Sequence, residues 1–169
     1  MEELLPIVDI EGNVVGSATR SECHGGSFLL HPVVHLHVKG SDGRLLLQLR
    51  SKNKRIQPCK WDTAVGGHVS YGEDIVTALQ RETAEELGID INKIDVKFLT
   101  QYPFRSSVEY ELVYVYTTIY DGPFNFQREE IDEVRFFSKD DLLALSSKGL
   151  LTPNFEQEIE KPDIIGAVI

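Results

Sequence analysis

The sequence predicts an α/β protein in which a mixed β-sheet is sandwiched between helices, with a β-hairpin at the amino terminus. Three observations support this prediction. Short runs rich in β-forming residues are separated by turn sequences. Residues 74–87 contain no Pro or Gly and are rich in Ala, Leu, Glu, Gln and Arg, which favours a helix. Residues 139–147 predict a second helix after the last strand, and this order of elements is typical of an α/β/α sandwich.

Two hairpins and a short strand are predicted before the first long helix. Residues 6–10 and 14–19 flank an Asp-Ile-Glu-Gly-Asn turn, which predicts the amino-terminal hairpin. Residues 33–38 and 45–50 flank the sequence Gly-Ser-Asp-Gly, which is a second hairpin signal at the start of the main sheet. A short strand is then predicted near residues 64–68, directly before the helix.

The helix over residues 74–87 is predicted to end at Gly88. Four of its residues have helical spacing and are predicted to face the core: Val76, Leu79, Thr83 and Leu87. Three further strands are predicted beyond the helix, at residues 96–102, 109–120 and 134–137. The tail, residues 152–169, is open to interpretation, because Pro153 could begin a short helix that Pro162 ends.

Length and composition indicate one domain. The 169 residues, 41% of them hydrophobic, suit a single core, and no Pro-, Gly- or Ser-rich linker divides the chain. We expect a hairpin extension over residues 1–25 and a single globular unit over residues 26–169. The amino terminus lacks a basic region followed by an apolar run, and no stretch approaches the length of a membrane span. These features predict a cytoplasmic protein with no membrane contact.

Charge and cysteine content exclude further classes of protein. A net charge of -10 disfavours binding to a nucleic acid polymer, because such binding needs clustered Lys and Arg. Cys23 and Cys59 lie in no C-x-x-C pair and are predicted to be free thiols. A small anionic ligand remains compatible with this composition. The sequence leaves the oligomeric state open, a homodimer included.

Three glutamates crowd one sector of the helix over residues 74–87. Glu82, Glu85 and Glu86 stand at i, i+3 and i+4, where like charges repel one another. A divalent cation such as Mg²⁺ or Mn²⁺ would relieve this repulsion, since hard cations prefer carboxylate oxygens and bridge to substrate phosphates. Arg81 can pair with the same cluster and hold its side chains in place. For these glutamates alone, a solvated acidic helix face is the alternative.

The surrounding segment is more specific than the glutamates. Residues 67–89, GHVSYGEDIVTALQRETAEELGI, resemble the Nudix box, G-x5-E-x7-R-E-U-x-E-E-x-G-U, where U is a bulky apolar residue. Only Thr83, at the first U, is irregular. The resemblance to Nudix hydrolases implies the Nudix fold and cleavage of a diphosphate linkage in a nucleoside diphosphate derivative or related small diphosphate. It also implies that Mg²⁺ or Mn²⁺ is held by Glu82, Glu85, Glu86 and the carbonyl oxygen of Gly67.

The same resemblance implies a reaction mechanism. A metal-activated water would attack a phosphorus atom, and Glu82, Glu85 or a carboxylate from a distant loop would orient or deprotonate that water. Arg81 is expected to orient the glutamates, and Glu73 to stabilise the helix start and to pair with Arg81. The candidates in the distant loop are Glu129, Glu130 and Glu133. A solvated acidic turn is the alternative for this loop.

A second resemblance, to type 1 isopentenyl-diphosphate isomerase, extends beyond the box. It is carried by the histidines, the LLLQLRSKNKR run, residues 58–62 and the Glu-Tyr-Glu triplet at residues 109–111. The resemblance implies a second metal site formed by His24, His31, His68, Glu109 and Glu111. It also implies that Arg50 and Lys54 bind the substrate diphosphate. The alternatives are hydrogen-bonded structural histidines and a solvated basic loop, and His35 and His37 are assigned to packing.

One departure from the isomerase pattern decides the predicted reaction. The isomerase uses a cysteine just before the Gly-His pair, and this chain has Gly66 there. Glycine cannot donate or accept the proton that isomerisation requires, whereas the carboxylates of the box are all present. The sequence therefore favours a Nudix pyrophosphohydrolase. An isomerase that uses another acid and a noncatalytic ligand-binding Nudix domain are the alternatives.

Overall fold

The amino-terminal hairpin is formed by two antiparallel strands, β1 (Leu4–Val8) and β2 (Val14–Thr19). The structure is a computed structural model, and it describes all residues, 1–169. The hairpin is fastened to the segment before the long helix, since the Tyr71 amide donates to the Leu4 carbonyl (2.9 Å) and the Ser70 hydroxyl donates to Glu3 (2.9 Å). The hairpin continues into a single helical turn, α1 (Arg20–Cys23), which places His24 at its end.

The main sheet has seven strands: β3 (Leu30–Lys39), β4 (Leu45–Arg50), β5 (Trp61–Thr63), β6 (Val65–His68), β7 (Val96–Arg105), β8 (Tyr110–Ile119) and β9 (Ile131–Phe137). Five of them follow the order β5-β4-β3-β8-β7, while β6 pairs with β3 and β9 pairs with β4. The β3 and β8 strands are parallel and the other pairings are antiparallel, so the predicted mixed sheet is confirmed.

Helices cover both faces of this sheet: α2 (Ile75–Leu87), α3 (Lys139–Ser147), α4 (Pro153–Ile159) and α5 (Pro162–Val168). On one face, α2 packs against alternate residues of β3, including Val34 and Leu36. On the other face, Phe155 of α4 and Ile164 of α5 pack against Val33 and its neighbours. Successive residues of a strand point to opposite faces, so β3 contributes to both cores. None of the helices is long and apolar enough to cross a membrane.

The long helix begins and ends as its sequence predicts. The Asp74 side chain accepts a hydrogen bond from the Thr77 amide (2.7 Å), and Gly88 ends the helix in the left-handed region with φ of 68°. The prediction that Val76 faces the core is wrong, because 59% of this residue is exposed. Leu79, Thr83 and Leu87 are buried as predicted. Val76 lies in the first turn of α2, where the apolar residue that packs against the core is Ile75 instead.

The role of Pro162 differs from the prediction, and the state of the two cysteines agrees with it. Pro162 begins α5 and does not merely end the preceding helix, because proline is well suited to the first helical turn, where its missing N–H has no partner. Cys23 and Cys59 are both free thiols, the first buried and the second exposed, as predicted.

Candidate active site

Arg81 organises the acidic residues of α2. Its guanidinium donates to both carboxylate oxygens of Glu73 (2.9 Å each) and to Glu82 (2.8 Å), and lies 3.5 Å from Glu85. The same group donates to the carbonyl oxygen of His68 on β6 (3.0 Å). Arginine suits this position because its planar fork of donors can engage several oxygens at once. The predicted pairing of Glu73 with Arg81 is therefore present.

Gly67 lies directly against the Glu82 carboxylate. A Cβ atom at residue 67 would overlap the Glu82 carboxylate, so any side chain there would force that carboxylate to move. The glycine is thus required by the close approach of the carboxylate to the β6 backbone. This approach places Glu82 beside the strand whose carbonyl oxygen is expected to join the metal site.

Glu86 is the most deeply buried of the three box glutamates. One of its oxygens accepts from the Gln48 side chain (3.0 Å), and the other accepts from the Gly66 amide (3.2 Å). Burial raises the pKa of Glu86 to about 8, and burial also raises the pKa of Glu82. Two buried carboxylates that resist ionisation, together with the half-exposed Glu85, form the oxygen-rich environment that a hard divalent cation stabilises.

A second cluster lies where α1, β3, β6 and the start of β8 meet. His24 Nε2 is 3.0 Å from both His68 Nε2 and Glu109 Oε2, and His31 Nε2 is 4.0 Å from Glu109 Oε2. The ligand atoms of these four residues all lie within 4.8 Å of one another. The structure thus assembles four of the five residues in the predicted second metal site.

One buried atom in this cluster, His31 Nε2, has no hydrogen-bond partner, and the buried Glu109 Oε2 has only the His24 ring nitrogen beside it. Burial holds the pKa of His68 well below its usual value and also lowers that of His31, so neutral imidazoles with free lone pairs are favoured. Buried unpaired atoms are costly, and a bound cation would satisfy them. The donor set of three imidazoles and one carboxylate fits a borderline metal such as Mn²⁺ or Zn²⁺.

Glu111, the fifth predicted member, lies outside this group of four. It pairs in register with His31 across β8 and β3 and is 8% exposed. Burial, reinforced by the neighbouring negative charge of Glu109, raises the pKa of Glu111 to about 8. A carboxyl group with this pKa can hold a proton at neutral pH.

The predicted diphosphate-binding residues make internal contacts. Arg50 donates twice to the Ile56 carbonyl oxygen (3.1 and 2.9 Å) and lies 3.4 Å from Asp62. Lys54 pairs with Glu130 at 2.9 Å. Glu130 is one of the three candidate carboxylates of the distant loop. A second candidate, Glu133, pairs with Arg135. An exposed pair such as Lys54 with Glu130 is weak and can be exchanged for a phosphate.

A buried network on the α4 face was not foreseen from the sequence. Glu158 is fully buried and accepts from His35 Nδ1 (2.8 Å), His37 Nε2 (2.6 Å) and the Tyr102 hydroxyl (2.5 Å). The assignment of His35 and His37 to packing captured their burial but not their shared partner. No local pattern could reveal Glu158, because it lies 123 and 121 residues from them in sequence.

A cavity of about 530 Å³ lies elsewhere, between the hairpin and the start of α2. It is lined mainly by apolar groups and includes Glu73, but none of the other box glutamates and no histidine. We therefore place the candidate active site where the carboxylates and imidazoles converge, and not in this cavity.

The sheet, the α2 helix and the glutamates on it define a Nudix domain, and a family model of the NUDIX domain matches residues 29–156. The chain therefore belongs to the Nudix hydrolase family. It is 37% identical over 126 residues to an uncharacterised Nudix hydrolase of Nostoc sp., covering 73% of this chain and 74% of that protein. The crystal structure of DR0079 from Deinococcus radiodurans is similar with a TM-score of 0.81 at 26% identity, covering 93% of this chain and 97% of that one.

The resemblance to the isomerases is also confirmed. The chain is 30% identical over 127 residues to isopentenyl-diphosphate Delta-isomerase of Serratia proteamaculans, covering 72% of this chain and 69% of that protein. Both resemblances predicted from the sequence are thus present in one chain.

Proposed function

We propose that this protein hydrolyses a diphosphate linkage in a nucleoside diphosphate derivative or a related small diphosphate, with Mg²⁺ or Mn²⁺ as cofactor. One observation carries the proposal: Glu82 and Glu86 converge on the glycines of β6, where burial raises the pKa of both. Such a pair is unfavourable as it stands and favourable around a divalent cation. The ligands would be Glu82, Glu85, Glu86 and the Gly67 carbonyl oxygen.

The cation, when bound, would neutralise negative charge that develops on the phosphoryl oxygens. The remaining roles fall to the residues of the chain. Glu82 or Glu85 orients and deprotonates the attacking water, while Arg81 holds the glutamates in register. Arg50 and Lys54 lie on the basic loop after β4 and contribute positive charge for the far end of the diphosphate.

A second candidate function is isomerisation of a prenyl diphosphate. It is favoured by the four-residue cluster at His24, His31, His68 and Glu109 and by the raised pKa of Glu111, which could serve as an acid. It is disfavoured by Gly66, which offers no side chain where the isomerase has its cysteine. In the hydrolytic proposal, the same cluster holds a second divalent metal.

The proposal is tested by release of phosphate or mononucleotide from a panel of candidate substrates with Mg²⁺ or Mn²⁺. The panel contains nucleotide sugars, ADP-ribose, dinucleotides, nucleoside triphosphates and prenyl diphosphates. Glu86→Gln removes a carboxylate of the box. The matched control is Glu160→Gln, at the exposed residue that follows α4. We expect release by the native chain and the control, and at least a hundredfold slower release by Glu86→Gln.

Two other results would contradict hydrolysis. Double-bond migration in isopentenyl diphosphate without phosphate release would establish the isomerase function. Binding of panel members without any turnover would indicate a ligand-binding domain.

A further inference from the structure

His35 lies on β3 with its side chain on the α4 face of the sheet, and one of its ring nitrogens has no hydrogen-bond partner in the protein. It pairs across β3 and β6 with Gly66, and residues directly opposite one another on paired strands point to the same face. Its Nδ1 atom is bound to Glu158 at 2.8 Å. Its Nε2 atom makes no hydrogen bond within the protein and keeps some contact with solvent. This nitrogen is therefore not fully enclosed, although His35 as a whole is buried.

Glu158 fixes both the orientation and the charge of the ring. The carboxylate already accepts from His37 and Tyr102, and it cannot donate, so His35 must present Nδ1–H to it. Burial alone would lower the pKa of His35, but the Glu158 carboxylate outweighs burial and raises this pKa to about 9. At neutral pH the ring carries a second proton, on Nε2, and can donate it in a hydrogen bond.

Gly66 keeps this donor open. Its backbone does not adopt a positive φ, so conformational freedom does not explain the glycine. A Cβ atom at residue 66 would lie 3.4 Å from His35 Cδ2 and 3.6 Å from His35 Nε2, in ordinary contact with the ring. Gly66 is itself exposed, and its amide donates to the Glu86 carboxylate. Gly66 thus lies between the His35 ring, on the α4 face of the sheet, and the Glu86 carboxylate, which its amide binds.

We infer that His35 Nε2 binds an oxygen of the substrate diphosphate, which makes His35 a substrate-contacting residue of this site. The inference rests on the proposed hydrolysis of diphosphates. The two arginines of the candidate site are engaged with other groups: Arg81 with Glu73 and Glu82, and Arg50 with Ile56 and Asp62. The His35 imidazolium is the cation in this region that has a free donor, and an anionic phosphoryl oxygen is its strongest available acceptor.

The test compares two variants that each keep a hydrogen bond to Glu158. Asparagine places an amide near the Nδ1 position of histidine, so His35→Asn retains the Glu158 contact and removes Nε2. Glutamine reaches the Nε2 position, so His37→Gln retains the corresponding contact and removes a ring nitrogen that is buried and unpaired. Thermal unfolding establishes that both variants fold. A merely structural role for His35 would affect both variants alike.

The measured quantities are KM and kcat for the best panel substrate, and the Kd of magnesium pyrophosphate by calorimetry. A charge-assisted hydrogen bond contributes enough that we expect His35→Asn to raise both KM and Kd about tenfold to a hundredfold. His37→Gln should leave both within about twofold. Unchanged KM and Kd in a folded His35→Asn protein would overturn the inference, even if hydrolysis itself is established.

A second pair of variants approaches the same donor from the other strand. Gly66→Ala adds a methyl group in contact with the His35 ring, and Gly16→Ala, where nothing lies within 4 Å, is its control. We expect Gly66→Ala to weaken magnesium pyrophosphate binding severalfold and Gly16→Ala to leave it unchanged. If the native chain binds pyrophosphate but hydrolyses no panel member, the proposed function fails while the His35 contact is still decided by calorimetry. No binding of pyrophosphate by the native chain would overturn the inference.

Discussion

The guanidinium of Arg81 donates to the backbone carbonyl oxygen of His68 at 3.0 Å, and this contact joins the two clusters of the candidate site. The Arg81 side chain holds the box glutamates, while the His68 ring belongs to the histidine cluster. A displacement of β6 would therefore disturb both groups of ligands together.

Substitution of Arg81 by lysine should show whether Arg81 acts through its positive charge alone or through the geometry of its hydrogen bonds. Lysine has no planar fork, so it cannot bind Glu73 through two parallel hydrogen bonds and still reach His68 and Glu82. We expect Arg81→Lys to lower kcat about tenfold to a hundredfold, as is typical when a residue that orients metal ligands is lost. Steady-state kinetics on the best panel substrate provide the measurement, and wild-type kcat in this variant would refute the orienting role.

Gly67→Ala should displace Glu82, because the new methyl group would overlap its carboxylate. Because the carboxylate is the flexible end of its side chain and can move aside, we expect a loss of stability of no more than about 1 kcal/mol, measured by urea denaturation. We also expect weaker Mg²⁺ affinity by calorimetry. The Gly16→Ala variant should change neither quantity, since no atom lies within 4 Å of the added group.

His31→Ala should remove a metal ion from the histidine cluster and leave the box glutamates intact. The native chain, dialysed against Mn²⁺, should bind one more equivalent than the variant, as measured by elemental analysis. His37→Gln is a suitable control because His37 lies on the same strand but binds Glu158. Equal metal content in native and His31→Ala proteins would show that the cluster holds no cation.

Glu86 should make the metal-free protein less stable as pH rises. Its pKa is about 8 in the folded chain and near 4.5 when unfolded, so the folded state binds more protons between these values and loses stability as they dissociate. Glu86→Gln lacks this effect, and its stability relative to the native chain should rise by on the order of 3 kcal/mol from pH 5 to pH 9. Urea denaturation in the presence of a chelator provides the comparison. A constant difference across this range would be inconsistent with the raised pKa.

His35 should also make the protein less stable as pH rises, but in this case the folded protein loses a favourable positive charge. Its pKa is about 9 in the folded chain and near 6.5 when unfolded, so the stabilisation from its charge is complete below pH 6.5 and is lost as pH rises toward 9. The stability gap between the native chain and His35→Asn should narrow by on the order of 2 kcal/mol between pH 6 and pH 9.5. Proton NMR of the His35 ring offers an independent check of the same transition.

Local sequence signals predicted most of the architecture. The Gly-Ser-Asp-Gly turn marked the β3–β4 hairpin, and the composition of α2, with Asp74 before it and Gly88 after it, marked the helix within one residue. The glutamates of α2 could be located because a helix fixes the relative positions of residues that are near in sequence. The four histidine-cluster residues came instead from a family resemblance, since three separate strands and a helix supply them.

The remaining features depend on long-range packing. Val76 has the correct helical spacing to be buried but is exposed, because burial also depends on which neighbouring elements pack against that turn. The partnership of Glu158 with His35 and His37 depends on how α4 docks, and no period in the sequence encodes that docking. The contact of Arg50 with Ile56 likewise depends on the path of the loop that follows β4.

The separation of 123 residues between His35 and Glu158 also constrains the order of folding. While the chain is being synthesised, β3 emerges long before Glu158, the carboxylate that pairs with His35. Contacts between residues so far apart in sequence carry an entropic cost of loop closure and form slowly. Before α4 docks, both imidazoles lack their shared carboxylate partner. Docking of α4 would then act as a late step that locks the central strand in place.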